Sequence, residues 1–369
     1  MKILYVTTIS NTINAFLIPH IELLISQGHQ VDIACNIDKD INEDLIKKGC
    51  NIFDIEFQRS PFTRENWTAL KKIKKLIKTR KYDIVHTHTP VASTCVRLAC
   101  KNIKNVKIIY TAHGFHFFRG APLRNWLIYF PIEKYLARYT DVLITINKED
   151  YKIAKKSLNA KNIEYIPGVG IDIQKFNSVI LNKPLIRKEI ELPEEAFVIL
   201  SVGELNKNKN HETIIKALEK INNPNIYYII CGHGKLENYL KKLAEKLSVD
   251  KNIRFLGYRN DIAQICAISD IFAFPSKREG LGLAAIEAMA SGLPLVTSNV
   301  HGILDYSING KTGYNCGSED VDGFVFSIKE LMANNVTRKE MGLSNIEIAK
   351  RFDVENIKNK ISKLYNEVI

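Results

Sequence analysis

No two cysteines of this chain are spaced C-x-x-C, and the seven present (35, 50, 95, 100, 231, 266 and 316) are odd in number and lie outside any histidine-rich ligand cluster. That excludes a zinc ribbon or a disulfide framework; the cysteines read as small buried apolar residues of a reducing compartment. Nowhere do about 18 apolar residues run together, so a membrane-spanning helix is excluded. The opening Met1-Lys-Ile-Leu-Tyr-Val is too short for an export signal and gives way to Ser10, Asn11, Thr12 and Asn14 without a cleavage site; it reads as a buried strand. A G-x-G-x-x-G turn after a strand is also missing. The first strand runs into a loop without glycine, Gly168-Val-Gly170 opens no helix, and Cys231-Gly-His-Gly-Lys lacks the third glycine. A dinucleotide-dependent dehydrogenase is thereby set aside.

What is present fills two cores. The chain has 369 residues, 46% of them apolar, more than one core comfortably holds. Short β-rich runs alternate with amphipathic helices, and the scheme occurs twice. In the first half, strands are expected near Lys2–Val6, Gln30–Ala34, Ile52–Ile55, Asp83–His86, Lys107–Thr111, Val142–Ile146 and Ile163–Ile166, with helices such as Phe16–Gln27 and Trp67–Arg80 between them. In the second, they fall near Val198–Val202, Tyr227–Cys231, Ile253–Leu256, Ile271–Phe274 and Leu295–Thr297. This predicts an α/β protein of two doubly wound, Rossmann-like parallel sheets, over 1–175 and 190–350, with the helix at 353–369 packing back on the first. Such sheets bind ligands beyond their strand C-termini, so the halves are expected to face a central cleft.

The net charge of +12 is unevenly placed: residues 51–150 hold 18 Lys and Arg against 8 Asp and Glu. One contributor is Leu70-Lys-Lys-Ile-Lys-Lys-Leu-Ile-Lys, apolar at 70, 73, 76 and 77. Read plainly it is a solvated helix face; read functionally it attracts anionic lipid headgroups or a polyanionic acceptor.

The densest chemistry lies in Ser276-Lys-Arg-Glu-Gly-Leu-Gly-Leu-Ala-Ala-Ile-Glu-Ala-Met-Ala-Ser-Gly-Leu-Pro. It reads strand, polar loop, helix, with Glu279, Gly280, Leu281, Gly282 and Leu283 around the helix start and Glu287 further along. A helix N-terminus after glycines presents free N–H groups and a positive dipole end to a phosphate, and carboxylates accept from hydroxyls. Those parts suit a sugar nucleotide. The glutamates are not a hydrolase pair: eight helical residues separate them by about 12 Å, beyond the roughly 5 to 9.5 Å such pairs need.

This spacing resembles the signature of the retaining GT-B glycosyltransferases, and the resemblance extends over nearly the whole chain. Val202-Gly-Glu-Leu-Asn-Lys-Asn-Lys-Asn-His211 resembles the first turn of the C-terminal domain in family-4 glycosyltransferases. It implies that Lys209 holds the donor diphosphate, with Gly203 and Asn206 in the same donor turn. Glu204 stands where the family usually has arginine, which leaves this turn without a second cationic phosphate ligand. The loop Leu256-Gly-Tyr-Arg-Asn-Asp261 is expected to face the base, with Arg259 in contact. Glu279 is assigned to sugar hydroxyls and Glu287 to the ribose.

In the first half, Tyr110-Thr-Ala-His-Gly-Phe-His-Phe-Phe118 and Glu133-Lys-Tyr-Leu-Ala-Arg-Tyr-Thr-Asp resemble the capsule and exopolysaccharide branch of the family. The resemblance places His113 beside the reacting sugar, where an imidazole near neutral pH can exchange a proton-linked hydrogen bond. Of His86 and His88, on one side of a strand if it continues, one is expected to be buried and hydrogen-bonded and His88 to line the acceptor side. The aromatic stretch from Phe115 to Arg138 reads as a core helix with a loop, or as an interfacial patch in which Arg119, Arg124 and Trp126 receive a lipid-linked acceptor.

The function so implied is transfer, with retention, of a hexose or N-acetylhexosamine from a UDP-sugar to a polyprenyl-diphosphate-linked saccharide. It would occur peripherally on the cytoplasmic face of the plasma membrane, without metal, other cofactor or nucleic acid. No D-x-D motif is placed to hold a divalent ion; Glu319-Asp-Val-Asp322 sits in a polar loop elsewhere. A UDP-sugar epimerase of the same architecture is the enzymatic alternative. A basic module that binds lipid or nucleic acid without chemistry is the other, and carboxylates in a phosphate-facing loop disfavour a nucleic acid there.

Overall fold

A computed structural model describes residues 1–60, 63–177 and 182–368. The chain forms two compact units, Met1–Gly170 with Val354–Ile369, and Ile171–Asp353.

The first unit is built on seven parallel strands: β1 (Lys2–Ile9), β2 (Gln30–Asn36), β3 (Ile52–Asp54), β4 (Ile84–His88), β5 (Lys107–Ala112), β6 (Val142–Thr145) and β7 (Asn162–Tyr165). Their order is β3-β2-β1-β4-β5-β6-β7, so the winding reverses between β1 and β4. Ile3, Leu4, Tyr5 and Val6 are all fully buried, as expected of a strand covered on both faces. The helix Glu65–Arg80 buries Ala69, Ile73 and Ile77 against this sheet and turns its lysines outward. The terminal helix Val354–Val368 buries Ile357, Ile361, Leu364 and Tyr365, one stripe at helical spacing, and packs on the helix Ile18–Ser26 of the same unit. The expected helix over Phe16–Gln27 is divided: Ile13–Leu17 is a π-helical turn, and the α-helix starts at Ile18 with Pro19 in its first turn, where no backbone N–H is needed.

The second unit repeats the plan with β8 (Phe197–Val202), β9 (Ile226–Cys231), β10 (Ile253–Gly257), β11 (Ile271–Phe274), β12 (Leu295–Ser298) and β13 (Gly313–Cys316), ordered β10-β9-β8-β11-β12-β13. Here the reversal lies between β8 and β11. The short edge strand β13 was not expected from the sequence; Gly-Tyr-Asn-Cys carries little strand pattern, and its place is set by pairing with β12. Gly313 allows that pairing, because a Cβ there would stand 1.8 Å from the carbonyl oxygen of Leu295.

Candidate active site

At the reversal in the second sheet, the loops after β8 and β11 are tied together by one backbone bond and by asparagine side chains. Lys277 N donates to Asn208 O (2.8 Å), and the Asn208 amide donates to Arg278 O (2.9 Å). Asn210, left-handed at φ +57°, opens the helix His211–Ile221 and donates to Pro275 O and Ser318 O. Asn206 folds the first loop by accepting from the N–H groups of Asn208 and Lys209, both at 2.9 Å. The result is an ion pair between residues seventy positions apart: Lys209 Nζ donates to Glu279 Oε1 at 2.7 Å. The ammonium also lies 4.7 Å from the centre of the Phe274 ring. The lysine stem runs against Gly203, whose missing Cβ would come within 3.0 Å of Lys209 Cε.

Gly282 is the cap of the helix Leu283–Ala290, at φ +86°, and a Cβ on it would stand 2.6 Å from Phe274. Phe274 therefore meets Lys209 on its face and the glycine turn at its edge. The first N–H groups of that helix, at Leu283 and Ala284, have no intrahelical carbonyl to pair with. Leu281 is buried and anchors the loop. Gly280 is held from the other side by Gly302, which donates to Glu279 O (3.1 Å); a Cβ on Gly302 would stand 2.0 Å from the Gly280 carbonyl oxygen. Gly302 was not singled out in the sequence, since it lies outside the motif and only the fold brings it there.

The Glu287 carboxylate, on the same helix, has no hydrogen bond or ion pair among the described residues, and burial raises its pKa against a smaller opposing effect of Lys175. Arg259 is engaged locally: it grips Asp261 through Nε (2.8 Å) and Nη2 (2.6 Å) and stands 3.6 Å from Glu189. The glycine turn after β9 has a packing reason. Cβ atoms on Gly232 and Gly234 would stand 2.1 Å and 2.4 Å from the carbonyl oxygens of Gly203 and Leu205, so this turn braces the Lys209 loop.

In the first unit, parallel pairing brings a stack of rings to the reversal between β1 and β4. Tyr5 pairs with His86 and His88 with Thr111. His86 and His88 rings lie 4.3 Å apart, and Tyr5 covers both. Both histidines are buried, although only one was expected to be. His86 is held by Tyr365 OH and Thr111 Oγ1, each at 2.8 Å. His88 Nδ1 lies 3.0 Å from His113 Nε2, while its own Nε2 is buried without a partner. Burial pushes the pKa values of His86 and His88 well down, and that of His113 down to about 4. His113 is thus a neutral imidazole at pH 7, where the sequence suggested a group titrating near neutrality.

Arg119 and Arg124 are exposed, whereas Trp126 is half-buried and packs on Phe117 (5.6 Å) and Phe130 (5.8 Å). The large exposed apolar groups of this region are instead Trp67, Leu123 and Leu127. Among the described residues, no helix is long and apolar enough to cross a membrane, and no group of three or more His, Cys, Asp or Glu is arranged to hold a metal ion.

Two Rossmann-like parallel-sheet units, with a lysine–glutamate pair at a glycine-capped helix, define a GT-B glycosyltransferase, an enzyme. The comparisons are specific: residues 2–147 match the model "Glycosyl transferase 4-like" and residues 182–347 match "Glycosyl transferases group 1". The chain is 33% identical over 374 residues to EpsD of Bacillus subtilis (strain 168), a glycosyltransferase by name, covering 99% of this chain and 96% of that protein. It is 30% identical over 355 residues to the Escherichia coli UDP-Gal:alpha-D-GlcNAc-diphosphoundecaprenol alpha-1,3-galactosyltransferase, covering 94% and 92% of the two. Among solved structures, HepE from Anabaena in complex with UDP and glucose superposes with a TM-score of 0.82 at 20% identity over the whole of both chains. The chain belongs to the group 1, family-4 glycosyltransferases, of exopolysaccharide type.

Proposed function

We propose that the enzyme transfers a hexose or N-acetylhexosamine from a UDP-sugar to a saccharide linked to polyprenyl diphosphate, with retention. The observation that carries this is the Lys209–Glu279 pair beside the free N–H groups of the helix Leu283–Ala290. Cleavage of the anomeric C–O bond leaves negative charge on the departing diphosphate. A fixed ammonium and fixed amides stabilise that charge more in the transition state than in the ground state. Lys209 and the amides of Gly282 and Leu283 take the diphosphate, without a metal ion. Glu279 then accepts from sugar hydroxyls and Glu287 from the ribose, while Asn206 and Gly203 shape the lysine turn. Arg259, held by Asp261 and Glu189, is assigned to the base.

The first unit contributes the acceptor and His113. A neutral His113 acts as a hydrogen-bonding group toward the transferred sugar, not as a cation, and His88 fixes which ring nitrogen is free. The galactosyltransferase relative, whose name specifies a diphosphoundecaprenol acceptor, supports a lipid-linked substrate. The exposed apolar side chains of the helix Leu123–Ala137, with Arg119 and Arg124 nearby, support peripheral binding at the cytoplasmic face of the membrane.

The test is release of UDP from UDP-sugars, with and without added polyprenyl-diphosphate saccharide. Acceptor-dependent release is expected. A new UDP-sugar formed without acceptor would instead identify an epimerase.

A further inference from the structure

The first unit holds a pocket of about 450 Å³ at the C-terminal ends of β1, β4 and β5, within the range of small-molecule sites. Thr8, Thr89 and Gly114 stand at these strand ends, and Gly114 follows His113. The stretch Phe115–Arg138, expected on the acceptor side, supplies part of its lining, whereas His88, Arg119, Arg124 and Trp126 do not line it.

Its walls are apolar, with Ile9, Val91, Cys95, Phe115, Phe117 and Ile132 among them. Its polar lining is largely engaged internally. Thr8 and Thr89 hydroxyls bond each other at 2.6 Å, Thr94 donates to Pro90 O, and the Asn66 amide is used by Gln58 N and Ser60 O. Glu133 is neutralised by Arg97, which is fully buried and stacked 4.3 Å over the Tyr110 ring. A sugar, which needs several hydrogen bonds, would find few here; a hydrocarbon would lose none. Arg59 is exposed on the lining, and its charge, which acts at a distance on the Asp38 carboxylate, is the cation of the pocket rim.

The apolar lining also continues outward. Ile132 belongs to the pocket and is 40% exposed on the helix Leu123–Ala137, beside Ile128 at 42% and Leu127 at 68%.

Resting on the lipid-linked acceptor proposed above, we infer that this pocket binds the isoprene units next to the acceptor's diphosphate, with Arg59 on the diphosphate. The enzyme then recognises its acceptor by the lipid as well as by the sugar. A branched hydrocarbon joined to a dianion matches an apolar pocket with an exposed guanidinium at its lining, and each buried methylene strengthens binding by about fourfold.

The probe is farnesyl diphosphate, measured by calorimetry on the full chain against inorganic diphosphate. Val91→Trp fills the pocket from a half-buried position, and Ile132→Asp is a second variant on the exposed helix surface. Farnesyl diphosphate is expected to bind at least tenfold more tightly than inorganic diphosphate and to weaken at least tenfold in both variants, with UDP binding unchanged. Arg59→Ala should weaken farnesyl diphosphate and leave farnesol unaffected. Equal binding of the two diphosphates, or farnesyl diphosphate binding unaltered by both variants, would overturn the pocket assignment. Transfer assays separate the two proposals. If wild type glycosylates the polyprenyl acceptor and Val91→Trp leaves its KM unchanged, the pocket assignment fails and the function stands. If farnesyl diphosphate binds as described but no lipid-linked acceptor is glycosylated, the function fails and the pocket stands.

Discussion

The polar clusters at the two sheet reversals are built on opposite principles. In the first unit, Tyr5 covers the buried His86 and His88, Tyr365 closes off His86, and the half-buried His113 meets His88 at the edge of the cluster, with all three pKa values lowered by desolvation. In the second, Lys209 and Glu279 keep 21% and 12% of their side-chain surface exposed and face each other beside unpaired amides. A sequestered neutral stack orients one ring and resists exchange. An ion pair that still reaches solvent can trade its partner for a ligand's phosphate and hydroxyls, which satisfy both charges in turn. The lesson is that the same fold supplies orientation in one unit and charge in the other.

The comparison is broken most strongly by acid. His20, whose pKa burial lowers to about 4, joins the three stacked histidines in the first unit; the second has one counterpart, His211, also lowered to about 4. Each has a folded pKa below its unfolded value of about 6.5, so the unfolded chain binds more protons and stability falls as pH drops through the window from 6.5 to 4. Between pH 6.5 and 5, His20, His113 and His211 each remove about 1.5 kcal/mol. Hydrogen exchange corrected for intrinsic rate should show the first unit losing protection well before the second; equal losses would erase the contrast.

Next is the charged pair. Lys209→Ala or Glu279→Ala should lower kcat by about 100- to 1,000-fold, the scale of losing one fixed charge-stabilising group, with the melting temperature nearly unchanged. His88→Gln sharpens the orienting role: kcat should fall by about tenfold as His113 loses its ring partner, while the KM for UDP-sugar stays within twofold. A smaller effect is expected from Tyr365→Phe, which leaves His86 Nδ1 without its partner and should cost about 1 to 3 kcal/mol of stability, read by urea unfolding, with UDP affinity unaltered.

Local signals carried much of this into the sequence. Short continuous apolar runs such as Ile3–Val6 and Ile271–Phe274, alternating with helical patterns, fit buried strands of covered sheets, and the glycines between Glu279 and Leu283 announce a capped helix start. What stayed hidden depends on long-range pairing. His88 meets His113 only because β4 lies beside β5, and Tyr365 reaches His86 from the far end of the chain. Gly302 matters through one backbone approach to Gly280. The pocket over Arg97 and Glu133 needs two helices and three strand ends at once, so residues such as Thr89 and Val91 carried no mark of it.

UDP affinity measured by calorimetry in excess chelator tests most directly whether the second unit's cationic turn receives the donor diphosphate. Wild type should bind, and Lys209→Ala should bind at least tenfold more weakly. Undiminished affinity in a folded Lys209→Ala variant, or binding that disappears with the chelator, would contradict it.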